Sequence, residues 1–211
     1  MIEAIGEFRG LCHVDVLPAS LLRAFKTEEY ARQFIGGQLR FGLLGYYRKI
    51  EGSRQDRTEG RAALRLGLPV EDQGPATVHW SFSAPNLYYV LCTFHPDVCS
   101  FEILKLGKHV VRITQPLALL RRICDVWRKD DRRSSSSPDS ICRVLYNKDD
   151  RAEAPSDMTL SACLIYAQKP PSFAPQREYR YVLSCRGGVK ESEILTIDVG
   201  DCKDICSIVV L

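Results

Sequence analysis

No apolar run in this sequence approaches the roughly 20 residues that a bilayer-crossing helix needs. The opening Met1-Ile2-Glu3-Ala4 has neither the basic stretch nor the sustained apolar stretch of a secretory leader. A cytoplasmic protein with no membrane partner is therefore expected. C-x-x-C is absent too. Cys92, His95 and Cys99 offer three soft ligands, but a structural zinc site wants a fourth and a second paired cluster, so no metal is expected. Nine cysteines, an odd number scattered through strands and one helix, do not make a disulfide framework, and buried free thiols are expected. G-x-x-x-x-G-K-S/T and G-x-G-x-x-G are missing, which excludes nucleotide binding by those loops. H-E-x-x-H and G-x-S-x-G are missing as well. The four histidines (13, 79, 95 and 109) lie far apart and neighbour no serine or cysteine arrangement, so structural roles are expected for them.

What is present is ordinary globular material: 211 residues, 45% hydrophobic and 26% charged, enough for one domain with a real core. Strands outnumber helices and do not alternate regularly with them, so the fold class is α+β, spanning 1–211. A net charge of +3 does not mark a nucleic-acid binder, yet the cations are bunched. Arg48, Lys49, Arg54, Arg57, Arg61 and Arg65 form one stretch; Arg121, Arg122, Arg128, Lys129, Arg132 and Arg133 form another. Solvated faces are the plain reading of both, and contact with phosphates of a cofactor or nucleic acid is the functional one.

Thr27 suits an N-cap, and Glu28 and Glu29 favour the positive end of a helix dipole. The helix runs to Gly36-Gly37 with Tyr30, Phe34 and Ile35 as its apolar face. Leu39 to Leu44 reads as a strand and the charged Gly52 to Gly60 as a loop. Further strands are expected at Val78 to Ser83, Tyr88 to Phe94 and His109 to Ile113, with a turn at Pro85-Asn86. Gln115 to Lys129 is the strongest helix: Pro116 sits in the first turn, and Leu117, Leu120, Ile123, Cys124 and Trp127 recur at helical spacing. Lys129 to Ser140, with four consecutive serines, is expected to be a mobile loop. Strands at Cys142 to Tyr146, Glu178 to Ser184 and Glu193 to Val199 follow, and Ile205 to Leu211 is either a last strand or a packed tail.

The stretch Leu21-Leu22-Arg23-Ala24-Phe25, then Thr27 to Ile35, Gly36-Gly37 and Gln38-Leu39-Arg40-Phe41 has the order strand with a central arginine, turn, helix, glycine, strand. Downstream, Gln176-Arg177-Glu178 precedes an apolar strand. Together they resemble the ADP-ribosyltransferase superfamily in its Q-x-E form, compact toxin-like members above all. The resemblance runs in order through most of the chain but rests on about a dozen positions. It implies two small packed sheets around a cleft for NAD, the substrate, with helices outside. It also implies that Arg23 binds NAD, that Glu178 is catalytic and that Gln176 meets the acceptor. An arginine fork suits phosphate oxygens, and a fixed carboxylate suits the positive charge that builds on ribose as nicotinamide leaves. Without the resemblance, Arg23 reads as a strand-end arginine facing solvent and Glu178 as one charge on an exposed strand edge.

The family's middle motif, an aromatic followed by serines or a threonine, is matched loosely by Trp80-Ser81-Phe82-Ser83, with Leu91-Cys92-Thr93-Phe94 as a rival. Tyr46 and Tyr47 are candidates to stack on nicotinamide. Arg54 and Arg57, flanked by Asp56 and Glu59, are candidates for the pyrophosphate or the acceptor. The acceptor is RNA, DNA or protein, with nucleic acid slightly favoured by the basic stretches. The resemblance to bacterial toxins of toxin–antitoxin and anti-phage systems also implies a neutralising antitoxin protein. Two alternatives stand beside this: an RNA-cleaving toxin built on an arginine-rich loop and a His–Tyr pair, and a non-catalytic interaction module.

Overall fold

Local chemistry sets the first helix. In the computed structural model, Thr27 accepts a hydrogen bond from the Tyr30 amide at 3.4 Å and caps α1 (Glu28–Ile35). Glu28 and Glu29 stand in its first turn, Glu28 bonded to Arg32 one turn on. The structure describes residues 11–12, 17–47, 61–68, 76–83, 87–134, 139–146, 165–190 and 192–210; 11–12, 61–68 and 76–83 are described by their backbone alone. The buried face of α1 is Ala31 and Phe34. Tyr30, expected on that face, is exposed, and the Arg40 guanidinium lies 5.1 Å from its ring centroid.

The helix stops at Gly36, and Gly37 takes φ 95°, a left-handed conformation in which a Cβ would lie 2.0 Å from the Gly200 carbonyl oxygen. That close approach ties the end of α1 to the C-terminal segment, helped by amide bonds from Val199 to the Gly37 carbonyl and from Cys202 to that of Ile35.

The described strands are β1 (Leu11–Cys12), β2 (Leu21–Phe25), β3 (Gln38–Leu43), β4 (Arg61–Leu68), β5 (Ala76–Ser83), β6 (Tyr88–Phe94), β7 (His109–Ile113), β8 (Ser140–Arg143), β9 (Glu178–Ser184), β10 (Ile194–Asp198) and β11 (Cys206–Val209). Nine of them form one sheet, antiparallel throughout except where β1 meets β8; β4 and β5 form a separate hairpin. The fold is thus mixed α and β around an antiparallel sheet. One continuous sheet that divides stands where two packed sheets were expected. β6 pairs with β9 along its whole length. On its other side it pairs first with β3, through Tyr89 and Val90, and then at Phe94 with β2. One arm is β3–β10, the other β2–β7–β11, and between them Leu91, Cys92 and Thr93 have no strand partner on that side among the described residues.

After the short helices α2 (Leu44–Tyr47) and α3 (Ser100–Leu104), α4 (Pro116–Trp127) covers one face, burying Leu119, Leu120, Ile123, Cys124 and Trp127 against Tyr89, Leu91, Tyr181 and Leu183. Each fully buried aliphatic side chain there stabilises by about 1.5–3 kcal/mol. Leu117, expected inside, is exposed, because the buried set starts from Pro116 and steps by three and four to Leu119, Leu120, Ile123 and Trp127. Tyr88, Val90, Cys142 and Val182 face the other way, with Leu44 and Tyr166.

β11 pairs with β7, so the last apolar stretch includes a strand. β8 begins two residues before the expected Cys142 and ends at Arg143. The expected loop at 129–140 is held at both described ends: Arg132 pairs with Asp130, Arg133 with Asp139, and the Ser134 amide bonds the Ser184 carbonyl. β4 was not expected as a strand at all. Arg48, Lys49, the loop 52–60 with Arg54 and Arg57, and Pro85-Asn86 lie outside the described residues. Of the seven cysteines whose side chains are described, five are buried, Cys92 is intermediate and Cys99 exposed. No helix among the described residues is long and apolar enough to cross a membrane.

Candidate active site

The divided sheet makes room for a cleft. Where β6 loses its neighbour, Arg23 of β2 reaches across and its Nη1 donates to the Cys92 carbonyl. The arginine thus satisfies a backbone acceptor that the fork leaves without a ladder partner. It is half-buried, with Phe25 and Phe34 at 5.4 and 5.8 Å from its guanidinium, and not the solvent-facing residue that a strand-end position suggests.

A cavity of about 460 Å³ opens between the arms, within the ~300–1,000 Å³ usual for small-molecule sites. Arg23, Lys26, Arg40 and Lys105 line it, and among the described residues no carboxylate does. Rings come from both arms and from α1, with Tyr46 and Tyr47 closing one side. Those tyrosines belong to the single turn α2 (Leu44–Tyr47) and meet edge to face at 5.6 Å. Gly42 lets them fold back onto β3, since a Cβ there would come within 3.1 Å of both rings.

A second, smaller cavity of about 40 Å³ shares Arg23, Ala24, Tyr47 and Leu106 with the first and continues to Cys92, Lys169, Gln176 and Glu178. The 3₁₀ helix Pro171–Gln176 delivers Gln176 to it, and Arg177, at φ 45°, turns the chain into β9. Strand alternation then puts Glu178 and Arg180 on the face away from α4. Arg180 Nε donates to Glu178 Oε1 at 2.6 Å, Lys169 Nζ donates to Oε2 at 2.6 Å, and the Glu178 amide donates to the Tyr146 hydroxyl at 2.7 Å. Lys169 Nζ also lies 3.4 Å from Gln176 Oε1, and Arg180 Nη1 bonds the Tyr166 carbonyl at 2.7 Å.

Glu178 and Arg180 are each 1% exposed. Burial disfavours the carboxylate's charge, yet Arg180 and Lys169 outweigh it and bring Glu178 down to about 2, so it stays ionised. Beside it, burial and then the Glu178 charge push the Cys92 thiol up to about 12. Burial, with the Cys92 side chain as hydrogen-bond partner, likewise holds the Tyr47 phenol well above its ordinary value. Tyr47, Cys92, Glu178, Lys169 and Gln176 therefore form one continuous polar run at the closed end of a cationic, aromatic cleft.

Of the sequence-selected residues, Arg23, Tyr47, Gln176 and Glu178 meet at the smaller cavity, and Tyr46 lines the larger one. Ser81 and Ser83 lie in β5 of the separate hairpin, opposite Ala63 and Arg61. The described contacts do not join them to this site, which β6 lines with Cys92 and Phe94. Arg54 and Arg57 lie outside the described residues. Lys169 and Arg180 were not singled out, and Cys92 was weighed only as a soft metal ligand and within the rival middle motif. Arg180 was legible as the same-face neighbour of Glu178, two residues on in a strand, whereas Lys169 carries no local signal.

No protein-family model matches this chain, and neither a curated protein nor a solved structure matches it.

Proposed function

We propose that the chain is an NAD-dependent ADP-ribosyltransferase of the compact, toxin-like kind, with the divided sheet as its NAD cleft. The observation that carries this reading is the pairing of a four-cation, ring-lined cavity with an ionised carboxylate at its closed end. A dinucleotide needs both halves: cations for its pyrophosphate, and an anion where ribose gains positive charge. Arg23, Lys26 and Arg40 take the phosphates, Tyr46 and Tyr47 take the nicotinamide, and Glu178 takes the ribose. The C–N bond breaks with its electron pair leaving on neutral nicotinamide. An acceptor nucleophile then bonds the ribose carbon and gives up its proton. Gln176, beside Glu178, meets the acceptor. Lys169 is the group that a ribose hydroxyl displaces from Glu178 Oε2.

The test is nicotinamide release from labelled NAD, with cell extract divided into protein, RNA and DNA, by wild type, Glu178→Gln and Tyr47→Phe. Label enters one fraction with wild type and is lost with Glu178→Gln, whose fold is checked by circular dichroism. Neither release nor transfer from a folded wild type removes the reading. RNA cleaved without NAD replaces it with an RNA-cleaving toxin, and partner binding untouched by Glu178→Gln replaces it with an interaction module.

A further inference from the structure

Across the rim of the sheet from Glu178 lies a groove of about 510 Å³ that the NAD cleft does not use, lined by Pro18, His95, Arg143, Tyr146, Arg177 and Tyr179 among others. Two of these, Arg143 and Arg177, are exposed, and neither makes an ion pair among the described residues. No described carboxylate lines the groove; Asp97, 3.5 Å from His95 Nδ1, is itself exposed. Two like charges converging on one concavity repel each other and favour an anion between them. The ring of His95 packs on Tyr179 at 6.2 Å and 32°. Burial, followed by Arg177, lowers the His95 pKa, so a neutral ring stands beside the two guanidiniums.

The groove and the candidate active site share a wall. Arg177 lies between Gln176 and Glu178, its carbonyl accepts the His95 amide at 3.0 Å, and Tyr146 receives the Glu178 amide. Arg177 is the one described non-glycine residue with positive φ, so the chain holds an uncommon conformation where the two sites meet.

The geometry points to this groove as the holding site for a single-stranded nucleic acid, the acceptor of the transfer. Arginine forks match phosphate oxygens two at a time, and neutral ring surface between them takes a base, the pairing of contacts that sequence-tolerant single-strand binders use. An acidic peptide would use the cations but not the rings. Because Glu178 is the first residue of β9, a strand lying in the groove needs only to pass over the 176–178 backbone to reach the cleft.

The identification of the strand as acceptor rests on the transferase reading; the binding does not, and is measured without NAD. Fluorescence anisotropy with short labelled single strands of RNA and of DNA is run on the full chain, wild type, Arg143→Gln and Arg177→Asn, asparagine being tolerant of positive φ. Each substitution is expected to weaken binding roughly tenfold. The double variant is expected to lower the salt slope by about 1.4, at about 0.7 for each phosphate no longer neutralised. Arg143→Gln is expected to leave NAD consumption without acceptor unchanged. Binding unaffected by either substitution overturns the proposal, as does polyglutamate bound more tightly with the same arginine dependence. Arginine-dependent binding by a protein that consumes no NAD keeps the groove and removes the transferase reading. NAD consumption without oligonucleotide binding does the reverse.

Discussion

Glu178→Gln in a urea titration repeated from pH 7 down to pH 2 isolates the charge at the centre of the site. In the folded protein this carboxyl titrates at about 2, against an ordinary 4.5. A gap of that size corresponds to about 3 kcal/mol of stability at neutral pH. The folded value is depressed, so the contribution is fully present above about 4.5 and is lost as the pH falls through about 2. Glutamine keeps the shape but removes the carboxylate charge that Lys169 and Arg180 share, and breaking one side of a buried pair costs about 3–5 kcal/mol. The wild-type advantage over Glu178→Gln is expected to be about 3 kcal/mol at pH 7 and to shrink steadily between about pH 5 and pH 2. Urea midpoints for both proteins at each pH give the difference directly. A difference that stays constant across that range would show that the penalty comes from packing or hydrogen-bond shape, and the electrostatic account of the cluster would be wrong.

Lys169→Met removes one of the two cations on Glu178, so its pKa rises, and the acid limb of nicotinamide release is expected to move to higher pH; an unmoved limb refutes a role for Lys169 there. Gly37→Ala places a Cβ against the Gly200 carbonyl at positive φ and is expected to lose at least about 1–3 kcal/mol, read as a lower urea midpoint, with wild-type stability as the contrary result. Iodoacetamide at pH 8 is expected to label exposed Cys99 and to spare Cys92, whose thiol is pushed up to about 12; peptide mapping that finds Cys92 modified first contradicts its protonated state.

The parts of the fold that could be read in advance are those written in local chemistry. α1 has its cap, its acidic first turn and its glycine stop, and β6, β7 and β9 are runs of β-branched and aromatic residues whose bounds coincide with the expected ones. β4 was missed because Arg61–Leu68 is built from alanine, leucine, arginine and glycine; pairing with β5, not propensity, makes it a strand. That Leu91-Cys92-Thr93-Phe94 and not Trp80-Ser81-Phe82-Ser83 lies in the sheet beside the cleft could be read only from the strand order, since the two are comparable as text. Lys169 was invisible for a related reason. It stands just before two prolines with nothing periodic around it, and only the 3₁₀ turn that follows folds it back onto a carboxylate nine residues later.

A sheet that divides carries edges in its interior. At the fork, the backbone of Leu91 to Thr93 offers one flank to no other described strand, and β2 and β3 turn flanks toward the same gap. Bare strand edges invite foreign strands, and proteins commonly blunt them with an inward-pointing charge. Arg23 is such a charge, seated on the Cys92 carbonyl at the point of division. Replacing it with an apolar residue would therefore leave a sticky seam as well as a poorer binding site, and self-association of such a variant would say as much about the protein as its loss of activity.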